Sequence, residues 1–190
     1  VVGVDAMAGL LDYDAKVTMI EMGDRILPLQ LDHYAANVYI ERLKEEGVDF
    51  RFNVRAEKVI VDENNNPVAI KLNTGEEVPG ELIIACTGVR SNVGFLEGSG
   101  IECDKFGLIF NPKGETNVKD VYGAGDISGR NPIWPTAVKE GLIAANNMCN
   151  KDIYMEDFFG SKNTMNFCGV ATMSLGTVIK PDDTYEEAVE

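Results

Sequence analysis

The sequence has little positive charge. Its 17 lysines and arginines stand against 31 aspartates and glutamates, and the formal net charge is −14. Such an acidic surface repels phosphate backbones and anionic lipid headgroups, so we expect no nucleic-acid partner and no membrane-surface binding. The sequence also lacks an apolar run of about 18 residues, so we expect no membrane-spanning helix.

Histidine and closely spaced cysteines are also scarce. His33 is the single histidine, and the four cysteines lie far apart with no C-x-x-C pair. This composition lacks the ligand spacing of a zinc site, and nothing local activates a thiol. We therefore expect no metal, and four reduced, mostly packed thiols in a cytoplasmic protein.

The first half of the chain alternates helical and apolar-strand patterns. These patterns predict a helix over Val4–Leu11, a strand over Lys16–Glu21, a helix over Asp32–Glu46 and a strand over Val48–Phe52. A strand that is apolar on both faces is typical of a parallel sheet covered by helices. The pattern predicts an α/β fold.

An antiparallel meander interrupts this alternation. Three short β runs are predicted at Lys58–Val61, at Pro67–Leu72 and around Val78, with strong turn signals between them. The apolar stretch Leu82–Ala85 is then predicted to return to the parallel sheet. Further along, a helix is predicted over Thr136–Met148 and a single strand over Cys168–Leu175.

Gly3 and Glu21 form the first candidate binding pair. In a dinucleotide-binding β-α-β unit, a fingerprint glycine lets the helix approach the strand. An acidic residue about twenty positions further on binds the adenosine ribose. Glu21 does end an apolar strand. An ordinary packing glycine and a solvated carboxylate remain the alternative interpretation of this pair.

A sharper pattern runs from Thr116 to Asp126. It places a carboxylate just after a buried strand, behind small residues and ahead of a helix. Gly125 permits close approach of a ligand to the backbone, and Asp126 can accept hydrogen bonds from ligand hydroxyls. The helix near Thr136 presents its positive end to an electron-rich ring. A glycine-rich turn with a helix-capping aspartate is the alternative.

These motifs resemble those of the pyridine nucleotide-disulfide oxidoreductases, flavoproteins with two dinucleotide-binding domains. Thr116–Asp126 is similar to the family's flavin-binding T-x-x-x-x-Y/F-A/G-x-G-D motif, and Ile83–Asn92 resembles its short glycine motif. Glu21–Pro28 is similar to the segment after the second strand of its nicotinamide domain. The meander resembles the insertion in that domain.

The resemblance implies a role for each matching residue. Asp126 would bind the FAD ribitol together with Gly125, and the backbone of Thr136 and Ala137 would face the flavin pyrimidine edge. On the NAD side, Glu21 would hold the adenosine ribose, and Gly3 and Gly88 would line the cofactor. Asp5 stands near the nicotinamide, where the family usually has Glu. An acid at Glu21, with Arg25 as the one nearby cation, argues for NADH over NADPH.

The resemblance also implies a domain order and an activity. Residues 1–90 would form the NAD(H)-binding domain, 91–150 the C-terminal part of an FAD-binding domain, and 151–190 the start of a dimer-interface domain. The protein would transfer hydride from NADH to flavin and on to an acceptor, either a small molecule or a redox protein, as a homodimer. No catalytic residue is assigned.

Val1-Val2-Gly3 fits the end of a G-x-G-V-V-G fingerprint. We therefore expect its first strand and two glycines upstream of residue 1, and the chain to be a fragment of the enzyme. The alternative is that the isolated chain is non-catalytic and binds NAD(H) weakly at most. Ser91 departs from the resemblance, because the family commonly has Pro there and its loss is expected to loosen the crossover between domains.

Overall fold

A computed structural model of the chain describes residues 1–156, 162–180, 182–186 and 188. The chain divides into two compact units. The first contains residues 1–87 and 162–190, and the second contains residues 88–161. In the described part of the chain, no helix is long and apolar enough to cross a membrane.

The first unit begins with a βα arrangement around a parallel strand pair. Helix α1 covers Val2–Leu11, strand β1 Thr18–Ile20, helix α2 His33–Glu45 and strand β2 Asp49–Arg51. Strands β1 and β2 pair in parallel, with Met19 opposite Phe50. The predicted helices and strands are present, although both strands are shorter than expected, and the α/β class is confirmed.

Helix α2 shows how local sequence fixes these boundaries. The Asp32 side chain accepts a hydrogen bond of 2.8 Å from the backbone N–H of Ala35, which caps the first turn. Gly47 follows the helix at φ +87°, a conformation that glycine adopts without steric cost. One face of the helix is buried in the core of the first unit: Ala36, Tyr39, Ile40 and Leu43.

The predicted antiparallel meander is confirmed. Strands β3 (Ala56–Val61), β4 (Pro67–Leu72) and β5 (Glu77–Pro79) form a three-stranded antiparallel sheet in sequential order. At the turn after β3, the Asp62 carboxylate accepts hydrogen bonds from the backbone N–H groups of Asn64 and Asn66. These bonds hold the pKa of Asp62 below its ordinary value.

The predicted return strand at Leu82–Ala85 is wrong. The stretch has no regular secondary structure, and the side chains of Leu82 and Ile84 are 65% and 48% exposed. A strand requires a neighbour that offers backbone hydrogen bonds along its edge. Among the described residues, no strand pairs with this segment, so its apolar composition does not suffice to form one.

Two strands replace the single strand predicted at Cys168–Leu175. Strand β6 covers Lys162–Phe167 and strand β7 covers Val170–Leu175, and they pair as an antiparallel hairpin. Cys168 and Gly169 form the turn, at φ +50° and +80°. Positive φ at both central residues is the geometry of a tight hairpin turn, and here cysteine fills a position that usually takes Asn or Asp. Gly169 is therefore the one turn signal at these two central positions.

Over residues 88–156, the second unit is built from loops, short turns and one long helix. Helix α3 covers Trp134–Met148, and 3-10 turns cover Gly94–Leu96 and Gly125–Ser128. Asn147 of α3 is buried and holds two other segments, because its amide donates hydrogen bonds to the carbonyls of Lys113 and Ile153. Helix α3 therefore supports the loops of this unit.

The four cysteines are free, but they are not mostly packed as predicted. Cys86, Cys103 and Cys149 are exposed, and Cys168 is half-buried. Cysteine is usually buried when a fold offers it an apolar neighbourhood, and these three lie in loops or directly after a helix. Within the described ranges, no group of three or more possible ligands is arranged to hold a metal ion.

Candidate functional site

Glu21 lies directly after strand β1, in the first unit. Its backbone N–H continues the parallel ladder by donating to the carbonyl of Arg51 at 2.9 Å. Its carboxylate Oε1 accepts a hydrogen bond of 2.7 Å from the backbone N–H of Gly23. This bond fixes the side chain at the carboxyl end of the strand, the end at which open α/β sheets bind their ligands.

Arg25 is the cation nearest to Glu21 in sequence, but its guanidinium is turned into the protein. The residue is 7% exposed. Its Nε and Nη2 donate to the carbonyls of Leu31 and Pro28, and its Nη1 forms an ion pair of 2.8 Å with Asp24. Through these bonds the guanidinium stabilises the loop between β1 and α2.

Gly3 lies in the first turn of α1, close to Cys86. A Cβ atom on Gly3 would stand 3.3 Å from the Cβ of Cys86, which is tighter than most such contacts. The third glycine of a dinucleotide fingerprint has the same packing role, so this contact is compatible with both interpretations of Gly3. Asp5 lies in the same helical turn and is exposed.

The second unit contains the remaining predicted site residues. Gly88 lies in an exposed loop at φ +88°. Gly125 is buried at φ +80°, and Asp126 directly after it is exposed. No described residue donates a hydrogen bond to the Asp126 carboxylate, so the helix-capping alternative is not supported.

The start of α3 lies against this loop. A Cβ atom on Gly125 would stand 3.3 Å from the Cβ of Ala137. Thr136 is held at the first turn of the helix by a hydrogen bond of 3.0 Å from the amide of Asn131. The structure therefore brings together four of the predicted site residues, namely Gly125, Asp126, Thr136 and Ala137.

Sequence reasoning missed one residue at this loop, Glu140 of α3. Its Oε2 accepts a hydrogen bond of 2.6 Å from the backbone N–H of Gly125. Partial burial raises the pKa of Glu140, and the nearby Asp126 charge raises it further against the effect of the Gly125 bond. In sequence, Glu140 resembles any surface carboxylate of a helix, so no local signal could have found it.

The raised pKa of Glu140 predicts a pH dependence of stability. A carboxyl whose folded pKa exceeds its unfolded value contributes stability at low pH that is lost as pH rises through the folded pKa. The melting temperature of Glu140→Gln relative to the unchanged chain should therefore increase between pH 4 and pH 7. Thermal melts across this range test the prediction, and a constant or falling difference would contradict it.

The first unit holds Glu21 directly after a parallel strand, and the second holds Asp126 beside a buried glycine and the first turn of α3. The model of the family described as pyridine nucleotide-disulphide oxidoreductase matches residues 1–141. The chain therefore belongs to the pyridine nucleotide-disulphide oxidoreductase family. This confirms the family indicated by the motifs around Glu21, Gly88 and Asp126.

Relatives of known function cover most of the chain. A dihydrolipoyl dehydrogenase from Acholeplasma laidlawii is 32% identical over 78% of this chain and 43% of its own length. A CoA-dependent NAD(P)H sulfur oxidoreductase from Pyrococcus abyssi is 27% identical over 86% of this chain and 38% of its own length. The chain thus spans less than half the length of either relative.

A solved structure shares the fold. The NAD-dependent persulfide reductase from A. fulgidus superimposes with a TM-score of 0.74 at 24% identity, over 87% of this chain and 32% of that protein. This likeness confirms the Rossmann-like α/β fold. Family membership supports FAD and NAD(H) as the cofactors.

Proposed function

We propose that the natural protein containing this chain is an NADH-dependent FAD oxidoreductase, which transfers hydride from NADH to flavin and passes the electrons on to an acceptor. The observation that carries the proposal is the exposed Asp126 carboxylate, which accepts no hydrogen bond from any described residue and lies beside a buried glycine and the first turn of α3. The two cofactors supply the redox chemistry when bound. The residues of the chain bind and orient them.

On the FAD side, Asp126 accepts hydrogen bonds from ribitol hydroxyls. Gly125 fits this role because it is buried against Ala137, which leaves the carboxylate as the exposed part of the turn. The first backbone N–H groups of a helix have no partner within it, and the N–H of Thr136 has none among the described residues, so it remains available to the pyrimidine edge of the ring. The N–H of Ala137 already donates to the carbonyl of Ile133 at 3.1 Å, so Ala137 contributes through its packing against Gly125.

On the NAD side, Glu21 accepts hydrogen bonds from the adenosine ribose hydroxyls. Its Oε1 is engaged by Gly23, and Oε2 has no hydrogen-bond partner among the described residues. Gly3 and Asp5, in the first turn of α1, line the same cofactor. The aspartate is shorter than the glutamate usual in the family, so its contact with the nicotinamide end is the weaker part of this assignment.

The same residues favour NADH over NADPH. A 2′-phosphate on the adenosine ribose would meet the negative charge of Glu21. Arg25 does not offset that repulsion, because its guanidinium is buried and already bonded to Asp24 and two backbone carbonyls. The acidic side chain therefore faces the nucleotide without an available cation from this loop.

Replacing Glu21 by alanine should lower kcat/KM for NADH roughly tenfold, because about one charge-assisted hydrogen bond to the ribose is lost. The value for NADPH should fall less or rise, since the repulsion of its phosphate is removed. Steady-state kinetics with both nucleotides on the natural protein check the ratio. Glu57→Ala, a change of an exposed carboxylate on β3, is the matched control. An unchanged ratio would count against the role of Glu21.

The acceptor is a small molecule or a redox protein. The two relatives are named for different substrates, dihydrolipoyl groups in one and sulfur with CoA in the other. Their names therefore do not narrow the chemical class of the acceptor. The resemblance further supports a homodimer, and the free cysteines suit a cytoplasmic, reducing compartment.

The visible spectrum of purified protein tests the proposed function. A yellow preparation whose flavin bands bleach on addition of NADH supports the oxidoreductase. Reconstitution with FAD should be attempted on the 190-residue chain and on the complete natural protein in parallel. If the chain alone stays colourless and shows no NADH-dependent dye reduction while the natural protein does, the isolated chain is the non-catalytic fragment of the alternative. If the natural protein also binds no flavin, the proposal is wrong.

A further inference from the structure

The backbone of the Gly125–Asp126 turn is held at two points by side chains that are distant in sequence. At one point, the Glu140 carboxylate accepts the hydrogen bond from the N–H of Gly125 at 2.6 Å. At the other, the Ser91 hydroxyl donates to the backbone carbonyl of Asp126 at 2.7 Å. That carbonyl also accepts from the N–H of Gly129 at 3.0 Å. All of these residues belong to the second unit.

Glu140 reaches the loop from the helix that also limits it sterically. Ala137 and Glu140 are three positions apart, so they lie on the same face of α3. A Cβ atom at position 125 would be in tight contact with Ala137, and Glu140 engages the N–H of Gly125. A left-handed glycine is intrinsically adaptable, so contacts of this kind select one of its conformations.

Ser91 is packed closely against the same turn. A Cβ atom on Gly107 would stand 2.9 Å from the Ser91 Cβ, and one on Gly129 would stand 2.9 Å from its Oγ. Both positions are glycine, so the serine side chain has room beside the backbone. A proline at position 91, as the family resemblance leads one to expect, has no hydroxyl to donate. The departure from the family pattern therefore adds a hydrogen bond at the flavin motif.

We propose that Glu140 and Ser91 are positioning residues that hold the Gly125–Asp126 turn in its binding conformation before FAD arrives. The inference rests on the proposed function, because it assigns the preformed turn to the FAD ribitol. Fixing a binding loop in advance strengthens affinity by reducing the ordering that the ligand must impose. Neither residue needs to contact the cofactor for this effect.

Glu140 is tested with one disruptive and one conservative variant. In the complete natural protein without flavin, Glu140→Leu should speed amide hydrogen exchange at Gly125 roughly tenfold or more. It should also weaken FAD binding roughly tenfold, the effect of losing one hydrogen bond to a charged acceptor. Glu140→Gln keeps an acceptor oxygen and should restore most of both properties. The control is Glu97→Leu, which removes an exposed carboxylate of the same unit.

Ser91 is tested with a chemically matched control. Ser91→Ala should weaken FAD binding roughly threefold to tenfold, since a neutral hydrogen bond is lost. Ser99→Ala removes a similar bond, from the Ser99 hydroxyl to the carbonyl of Leu96 at 2.6 Å, away from the flavin motif. It should leave the FAD dissociation constant unchanged. Isothermal titration of the flavin-free protein measures all of these constants.

The outcomes separate the two proposals. If the unchanged natural protein binds no FAD, the proposed function is wrong and this inference falls with it. If it binds FAD, but the Glu140→Leu and Ser91→Ala variants show unchanged affinity and Gly125 exchange, the inference alone is wrong. If Glu140→Gln binds FAD as weakly as Glu140→Leu does and exchanges the Gly125 amide as fast, the hydrogen-bond role of Glu140 is also overturned. Circular dichroism shows whether Glu140→Leu keeps its fold. If it does not, the inference is decided by the FAD affinities of Glu140→Gln, Ser91→Ala and Ser99→Ala.

Discussion

Substituting Gly107 by alanine should lower the free energy of unfolding by roughly 3 kcal/mol, because the added methyl group meets backbone that it cannot displace. Gly107 is buried, and its Cβ atom would stand 2.1 Å from the carbonyl oxygen of Ile127. That carbonyl also accepts the N–H of Leu108 at 2.8 Å. Relief of the clash would therefore move the turn that follows Asp126.

The matched control for this prediction is Gly141→Ala in α3. Nothing lies within 4 Å of a Cβ atom at that position, and helical glycine is less stable than alanine. The free energy of unfolding of this variant should be about 0.5–1 kcal/mol higher than that of the unchanged chain. Thermal and urea unfolding followed by circular dichroism compare the two variants. Equal midpoints for Gly107→Ala and the unchanged chain would contradict the backbone clash.

The need for glycine at position 107 illustrates what sequence patterns do not contain. Its φ lies outside the left-handed region, so no turn type requires glycine there. The requirement comes from Ile127 and Ser91, which are distant in sequence. In contrast, the turn signals of the meander and the start of the helix at Asp32 depend on four or five neighbouring residues, and these features were predicted correctly.

The incorrect strand at Leu82–Ala85 has a related cause. Its apolar residues have high β-propensity, but a strand also depends on a neighbour along its edge, which periodicity does not reveal. The turn at Cys168 was missed for a different reason. Cysteine at φ +50° is not a turn signal, and the tight hairpin rests on the pairing of β6 with β7. Local patterns therefore predicted the character of single segments better than the pairing between strands.

The candidate binding residues divide in the same way. Asp126 was predicted as a binding residue because its motif is contiguous and its expected chemistry follows from a carboxylate between a strand and a helix. Arg25 was identified as a nearby cation, but sequence proximity to Glu21 could not show that three of its nitrogens are engaged by the loop that follows β1. Whether a charge faces a ligand depends on the path of the backbone, which sequence spacing does not determine.

Asp126→Ala should weaken FAD binding by roughly tenfold to a hundredfold in the complete natural protein, since hydrogen bonds to a charged acceptor are lost. Asp126→Asn keeps one acceptor oxygen, so its FAD affinity should lie between that of the alanine variant and that of the unchanged protein. The free energy of unfolding of the flavin-free protein should change by less than about 0.5 kcal/mol, because no described residue bonds to this carboxylate.

The combination of these two results distinguishes a ligand-binding aspartate from a structural one. A structural aspartate would lose stability and affinity together, whereas one that holds ribitol hydroxyls loses affinity alone. Asp120→Asn is the control, because Asp120 is exposed at φ +63°, a conformation that asparagine also tolerates. Its FAD affinity should match that of the unchanged protein. If Asp126→Ala binds FAD as tightly as Asp120→Asn does, the ribitol contact lies elsewhere, and the preformed turn then serves the packing of α3 rather than the cofactor.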